Sequence, residues 1–348
     1  MADAALPAPR TPDPADAPSL GWGVLGPGEI AGDFVDALQR HTGQRVVAVG
    51  SRSADRAERF AVRYDVPRVH VGYEALVADP EVDVVYVATP HREHARNALL
   101  AVAAGKHVLV EKPVAVTAAQ ARSIFAAAAA AGVFAMEAMW TRFLPQTDVV
   151  AQVLERGGLG PVSLATADFA GGGSADPASR LLDPAQGGGA LLDLGVYVAW
   201  WSHLVLGPPD RVTARGLLGA TGVDEQATLV LETGAAQGVV TTGFRGRTAW
   251  RATAVGARAR IEVAAPFWAA SGLTLVGADG TVAGAWEDPF GRPFRQGLCY
   301  EAAAVARAIA EGRSEHPDHP AATAVAVLET IDAARHELGY ADPPGWSA

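Results

Sequence analysis

The chain has 348 residues, with 28 Lys and Arg against 38 Asp and Glu, for a formal net charge of −10. That length predicts two domains, and a hydrophobic fraction of 49% excludes wholesale disorder. An acidic balance without Lys/Arg runs argues against nucleic acid and anionic membranes as partners, and a single cysteine, Cys299, excludes both an intramolecular disulfide framework and a cysteine-built zinc site.

Residues 1–18 are rich in Pro and Asp and lack the apolar core of a signal peptide, so they read as a disordered tail. Order begins with the apolar run Gly21–Leu25 and a helix over Glu29–Arg40, which has apolar residues at Ile30, Phe34, Ala37 and Leu38. Strands over 45–50, 69–71, 82–88 and 107–110 then alternate with helices over 54–64, 73–77, 93–104 and 118–131. The run Val82–Ala88 is nearly all apolar, as in a strand buried on both faces. This alternation predicts a parallel sheet with right-handed crossovers, a dinucleotide-binding domain over 19–141.

Beyond residue 141 the rhythm changes. A helix over 147–155 and another over 189–206 accompany strands at 162–169, 211–218, 226–231, 237–244, 249–255, 258–263 and 273–276, most of them joined by short Gly-containing links. These predict a mostly antiparallel sheet in a second domain, 142–348, which closes on helices over 298–311 and 321–338. The most apolar stretches, 124–136 and 190–201, are short or carry Asp193, which suits buried helices better than membrane spans. A cytoplasmic location is expected.

Gly26-Pro27-Gly28-Glu29-Ile30-Ala31 links the first strand to the first helix and fits the G-x-G-x-x-G/A fingerprint. Gly26 makes the tight turn, Gly28 lets the backbone approach a pyrophosphate, and the helix N-terminus offers N–H groups and partial positive charge. The second strand ends Gly50-Ser51-Arg52-Ser53, with no acid before Asp55. An NAD-preferring site places an acid there; hydroxyls and a guanidinium suit a 2′-phosphate, so NADP is favoured, with NAD possible. The alternative is that Arg52 is a solvated surface residue.

Glu111 and Lys112 stand at the carboxyl end of a buried strand, where ligands of open α/β sheets bind, although a structural lysine fits the same pattern. Asp193 and Tyr197 follow the triple glycine 187–189 at i and i+4 spacing, which places both on one helix face. A core aromatic with its hydroxyl at the surface is the bland reading of Tyr197. No histidine spacing matches a metal site.

Together, GPGEIA (26–31), VATPHREH (87–94), EKP (111–113) and GGGALLDLGVY (187–197) resemble the glucose–fructose oxidoreductase / inositol dehydrogenase / MocA family of NAD(P)-dependent oxidoreductases. The resemblance implies a Rossmann domain, a second α/β domain with an open, mostly antiparallel sheet, and an active site between them. It also implies Lys112 near the reacting carbinol and the nicotinamide. Many members carry histidine where this chain has Tyr197. The tyrosine form, with EAMWTRFLP (137–145), is similar to the branch of dimeric dihydrodiol dehydrogenase and NADP-dependent D-xylose dehydrogenase, in which Trp140 and Phe169 would line the substrate pocket.

A phenol titrating near pH 10 needs a cation to act as a base at neutral pH, and Lys112 would supply it. Tyr197 and Lys112 then form the acid/base pair, with Asp193 bonded to Lys112 or to a substrate hydroxyl. Thr89 and Pro90 shape the nicotinamide pocket. His94 lies near the cofactor ribose or is structural, and Arg142 meets substrate oxygens or links the domains. The substrate is a sugar, polyol or dihydrodiol, and relatives imply a homodimer or homotetramer. The competing class is a non-catalytic NAD(P)-binding sensor, whose signature would be loss of Lys112, Asp193 or Tyr197.

Overall fold

The computed structural model describes residues 6–173, 176, 178–292, 294–341, 343 and 346. They divide into two compact units. The first comprises Pro12–Phe143 and Arg292–Val325; the second comprises residues from Leu144 to Gly291, those from Ala326 onward and the segment up to Thr11.

The first unit is built on a six-stranded parallel sheet. In chain order its elements are β1 (Gly21–Leu25), α1 (Glu29–His41), β2 (Arg45–Ser51), α2 (Ala54–Tyr64), β3 (Arg68–Val71), α3 (Tyr73–Val77), β4 (Val84–Val87), α4 (His94–Ala103), β5 (His107–Glu111), α5 (Ala118–Ala131) and β6 (Ala135–Ala138). The strand order β3-β2-β1-β4-β5-β6 reverses direction between β1 and β4, the point where open α/β sheets bind ligands. β1, β4 and β6 are buried at every position, which explains their near-continuous apolar sequence. Helix starts follow local chemistry: Ser53 accepts from the Arg56 N–H and Thr117 from the Gln120 N–H, each capping the helix that follows.

The second unit contains α6 (Pro145–Glu155), β7 (Val162–Ala170), α7 (Val196–Leu206) and a run of seven further strands. These are β8 (Arg211–Leu218), β9 (Asp224–Thr233), β10 (Ala236–Gly243), β11 (Ala252–Gly256), β12 (Ala259–Val263), β13 (Leu273–Gly277) and β14 (Val282–Trp286). The eight strands form one mixed sheet, in which β7 and β10 run parallel and every other neighbouring pair is antiparallel. Helix α7 packs on β7 and β10 and is buried from Val196 through His203. The segment 184–206 is long and apolar enough to cross a bilayer, yet 78% of its window lies inside the protein.

Two expectations about boundaries need correction. The chain does not divide once near residue 141, because residues 292–325, including all of α8 (Leu298–Ala310) and its flanks, belong to the first unit. The reason is packing: α8 lies against α1, and Ala303 and Ala306 form a buried cluster with Ala17 and Leu20. Helix α9 (Ala321–Glu337) is divided between the units. Residues 6–18, expected to be part of a disordered tail over 1–18, follow a defined path; residues 1–5 lie outside the described ones. Pro14–Asp16 form a helical turn with Pro14 buried, and Arg307 donates to the Asp13 carbonyl at 2.5 Å. Further upstream, Arg10 bonds Asp148 and Glu155, and Gln152 donates to the Ala8 carbonyl.

Candidate active site

The carboxyl edge of the parallel sheet gathers four loops named by the sequence. Gly26, after β1, has φ +92°, and a Cβ there would come within 2.8 Å of the Ala88 carbonyl oxygen, so only glycine fits. Gly28 is extended, and a Cβ built on it meets nothing within 4 Å. It begins α1 without a side-chain cap. An open approach to uncapped N–H groups is the cradle a pyrophosphate requires, and the residues present therefore fit a dinucleotide. Ala31 is fully buried under that turn, and Arg295 stands 3.6 Å from Glu29.

At the end of β2, Ser51 is buried and its hydroxyl accepts from the Ser53 N–H. Arg52 is exposed and hydrogen-bonds the Tyr73 hydroxyl, whose pKa burial nonetheless pushes up. After β4, Thr89 is buried and accepts from Asn97 at 3.1 Å. His94 is 1% exposed, with Nδ1 2.7 Å from the Pro113 carbonyl and Nε2 2.7 Å from the Thr89 carbonyl. Both ring nitrogens thus lie against backbone carbonyls, which fits the structural alternative for His94. The imidazole straps the Thr89-Pro90 loop to the Lys112-Pro113 loop.

Glu111 ends β5. Its carboxyl accepts from the Tyr86 hydroxyl and, at 3.1 Å, from the Lys112 N–H, so it braces the backbone at the lysine. Burial raises its pKa, with Lys112, Tyr86 and Arg295 opposing. Glu137 accepts from the Val114 N–H at 2.9 Å, so buried glutamates hold the backbone on both sides of Pro113. Lys112 itself is half-buried.

Trp140 is buried in a helical turn before α6. Arg142, expected to meet substrate or to link the domains, is 9% exposed and bonds Asp318 through the carbonyl and Oδ1, both at 2.9 Å. Both residues belong to the first unit, so this ion pair joins no domains.

In the second unit, Asp193 and Tyr197 flank a change of helix type. Leu191–Gly195 form one wide, π-helical turn that passes directly into α7. Gly189 has φ +113°, and a Cβ there would stand 2.3 Å from Asp224 Oδ1. That close approach lets Asp224 Oδ2 accept from the Leu191 N–H at 2.6 Å. Asp224 is 1% exposed, and burial pushes its pKa up to about 7 against the opposing Leu191 and Ala190 N–H groups and Arg335. This buried anchor of the Tyr197 turn was not legible in the sequence, because acids opening a strand, here Asp224 and Glu225, carry no signal of which one is buried. Asp193 is partly exposed, with Oδ1 3.9 Å from Arg180.

Tyr197 is 6% exposed and stands edge-on to Phe169, ring centres 5.6 Å apart. Phe169 stacks on Trp268 at 4.9 Å and meets Trp250 and Phe267 edge-on. Trp250 is fixed by Nε1 donating to the Ala170 carbonyl at 2.6 Å and lies under Arg247, 3.9 Å from the ring centre. Sequence reasoning named Phe169 and Tyr197 but missed Trp250, Phe267 and Trp268; three bulky aromatics within 19 residues were the available signal.

A dinucleotide cradle on a parallel six-stranded sheet, followed by a second unit on a mixed sheet, defines an NAD(P)-binding oxidoreductase architecture. Residues 20–139 match the family model described as "Oxidoreductase family, NAD-binding Rossmann fold", and residues 148–262 match the "GFO/IDH/MocA C-terminal domain". The chain belongs to the GFO/IDH/MocA oxidoreductase family. It is 33% identical to trans-1,2-dihydrobenzene-1,2-diol dehydrogenase of Sus scrofa over 93% of this chain and 98% of that protein. The Macaca fascicularis protein of the same name is 34% identical over the same shares. A solved 3-ketoreductase from Actinomadura kijaniata, a Tyr-to-Phe variant in complex with TDP-benzene and NADP, is 28% identical with a TM-score of 0.80, covering 92% of this chain and 98% of that one. Levoglucosan dehydrogenase, in complex with NADH and levoglucosan, shares the fold at 22% identity and a TM-score of 0.81, over 92% and 98% of the chains. The protein is accordingly an NAD(P)-dependent dehydrogenase acting on CH–OH groups.

Proposed function

We propose that the enzyme oxidises a carbinol on a ring-shaped diol or sugar, with Tyr197 and Lys112 as the acid/base pair and NADP as the preferred cofactor. The observation that carries this reading is the aromatic group around Tyr197. A phenol packed against Phe169, near Trp250 and Trp268, suits a substrate with an aromatic ring or the apolar face of a sugar. The dihydrodiol dehydrogenases at 33–34% identity support a cyclic diol. Solved variants of the Actinomadura ketoreductase replace a tyrosine and a lysine, the residue types of this pair.

The nicotinamide supplies hydride acceptance when bound. The chain's own part is to position and to move a proton. Gly26 and Gly28 admit the pyrophosphate, Ser51 and Arg52 receive the adenosine 2′-phosphate, and Thr89 and Pro90 border the nicotinamide. Lys112 holds the phenol of Tyr197 toward its ionised form, Tyr197 takes the hydroxyl proton, Asp193 orients the pair or a substrate hydroxyl, and Trp140 borders the substrate with Phe169. The enzyme works in the cytoplasm, without nucleic acid or membrane partners. It assembles as a dimer or tetramer through the mixed sheet, where Leu217, Leu218, Val239 and Val282 are exposed.

A screen of a trans-dihydrodiol, D-xylose, D-glucose and myo-inositol with NADP and with NAD tests the reading. The expected result is turnover of a cyclic diol or sugar with NADP ahead of NAD. Turnover of none, with tight cofactor binding, would favour the sensor alternative. An elution mass near the 35.9 kDa monomer would overturn the assembly.

A further inference from the structure

The link between β10 and β11, residues 244–251, carries Arg245, Arg247 and Arg251, all exposed, in a chain of net charge −10. Arg245 stands 3.9 Å from Glu225. Arg247 pairs with no carboxylate among the described residues, and its guanidinium carbon lies 3.9 Å from the centre of the Trp250 ring. That is the contact distance of two flat groups. A guanidinium turned edge-down would stand farther off, so Arg247 rests its face on the indole and keeps its N–H edge for another partner.

The mount is rigid. Trp250 has φ +59°, a left-handed conformation that a bulky side chain rarely adopts, and strand β7 holds it there. Its N–H donates to Asp168 Oδ1 at 2.7 Å and its indole Nε1 to the Ala170 carbonyl at 2.6 Å, while its carbonyl accepts from the Phe267 N–H at 2.9 Å. Thr248 ties the link to the same strand: its N–H donates to the Ala170 carbonyl at 3.2 Å, and its hydroxyl accepts from the Ala170 N–H at 3.1 Å. A strained residue held by this many bonds marks a side chain whose placement is used.

Phe169, between Asp168 and Ala170, joins this mount to the candidate site. Trp250 and Tyr197 both stand edge-on to its ring, at 5.7 and 5.6 Å, and Trp268 meets them at 5.8 and 6.3 Å. Arg247 is thus mounted on the same aromatic group as Tyr197. An aromatic wall takes up the apolar face of a ring, and a fixed, unpaired guanidinium beside it takes an oxyanion in two parallel hydrogen bonds. In a protein of net negative charge, an anionic ligand needs such a cation.

We propose that the substrate is a ring-shaped sugar or diol bearing an oxyanion, a carboxylate or a phosphate, and that Arg247 on its Trp250 mount selects for it. The inference rests on the reading above, which sets the substrate ring beside Tyr197 and Phe169, and adds what that ring carries. The oxyanion takes no part in hydride or proton transfer.

Calorimetric titration of the NADP-loaded protein with D-glucuronate, D-glucose 6-phosphate and D-glucose tests it. At least one anionic sugar should bind roughly tenfold or more tighter than D-glucose, and the advantage should shrink as salt is added. Which of the two is favoured tells carboxylate from phosphate. Arg247→Gln should bring the three ligands level, and Arg247→Lys, which keeps the charge without the flat face, should fall between. Arg251→Gln removes another exposed cation of the same link and should leave the preference in place. Equal binding of the three sugars to the wild type, binding of none, a preference that survives Arg247→Gln, or one lost equally in Arg251→Gln overturns the proposal. Binding is read here without turnover, so the two readings separate. Arg247-dependent binding with no oxidation of any alcohol removes the acid/base reading and leaves the anion site standing. Turnover of neutral sugars or diols with no preference for the anionic ones removes the anion site and leaves the acid/base reading.

Discussion

Every residue of β4 and β6 is buried, whereas β9 alternates, with Ala227, Leu229 and Leu231 inward and the residues between them partly exposed. The parallel sheet is covered on both faces, so its strands leave room for chemistry only at their carboxyl ends. Its candidate residues accordingly sit in short loops next to the strands that place them: Gly26 and Gly28, Ser51 and Arg52, Thr89, Lys112. The mixed sheet presents one face to α7, and side chains from distant strands and loops converge there: Phe169 from β7, Tyr197 from α7, and Trp250, Phe267 and Trp268 from the links around β11 and β12. Cofactor binding can be specified by local motifs, whereas substrate binding depends on tertiary convergence.

The contrast breaks most readily at the two residues proposed for proton transfer, Lys112 of the first unit and Tyr197 of the second. Lys112→Met should lower turnover by roughly a hundredfold or more while fluorescence quenching still reports cofactor binding. Tyr197→Phe, which preserves the ring packing on Phe169, should cost a similar factor of roughly 10² with NADP affinity nearly unchanged. Near-normal turnover of the Phe variant at every pH would remove the second sheet from proton transfer. Arg52→Asp probes the cofactor side alone. A charge-assisted phosphate contact is worth about 1.5–3 kcal/mol, so KM for NADP should rise more than tenfold, with preference shifting toward NAD. A wild type that already prefers NAD would contradict the reading of Ser51 and Arg52.

Asp224 sharpens the comparison through stability. Its pKa is raised from 3.8 to about 7 on folding, so the folded state binds the extra proton. Its stabilising contribution is complete below the unfolded value and is lost as pH rises through the folded one. The loss between about pH 6 and 8 is about 1.4 kcal/mol by linkage. Thermal melts across that range should show the decline in the wild type and a flatter profile in Asp224→Asn, which keeps an acceptor for the Leu191 N–H. Parallel profiles would mean that Asp224 stays ionised. Arg10→Ala is the smallest test: removing exposed ion pairs to Asp148 and Glu155 should cost about 0–1 kcal/mol in a denaturant titration.

How much was legible follows the same division. The apolar runs of the parallel sheet, the glycine fingerprint and the EKP lysine were readable because each is local. The edge strand β14, VAGAW, was missed because a central glycine and exposed valine and alanine blur its alternation. The return of residues 292–325 to the first unit was hidden because hydropathy marks the buried face of α8 without naming its partner. For His94 and Arg142 the sequence left a ligand contact and a structural role open, since a polar residue near a motif suits either; the structure shows both held by backbone or Asp318. The density of aromatics from Trp250 to Trp268 was visible, but its convergence on Phe169 depends on pairing between β7 and β11 that no short motif encodes.

The wide turn at Leu191–Gly195 also sets a phase. A π turn accommodates one surplus residue without breaking the helix, so side chains after it are offset by about 100° from where an uninterrupted α-helix would place them. Ala190 before it and Val198 and Trp201 after it are buried in two different angular registers of one rod. Deleting any one residue of the turn would restore regular winding, and only one of the two registers could then be kept. Either Tyr197 would swing off Phe169, or the start of the rod would leave Asp224. Segment length at this point therefore sets the placement of Tyr197 as much as residue identity does, and a lineage that lost one residue here would present another side chain beside Phe169.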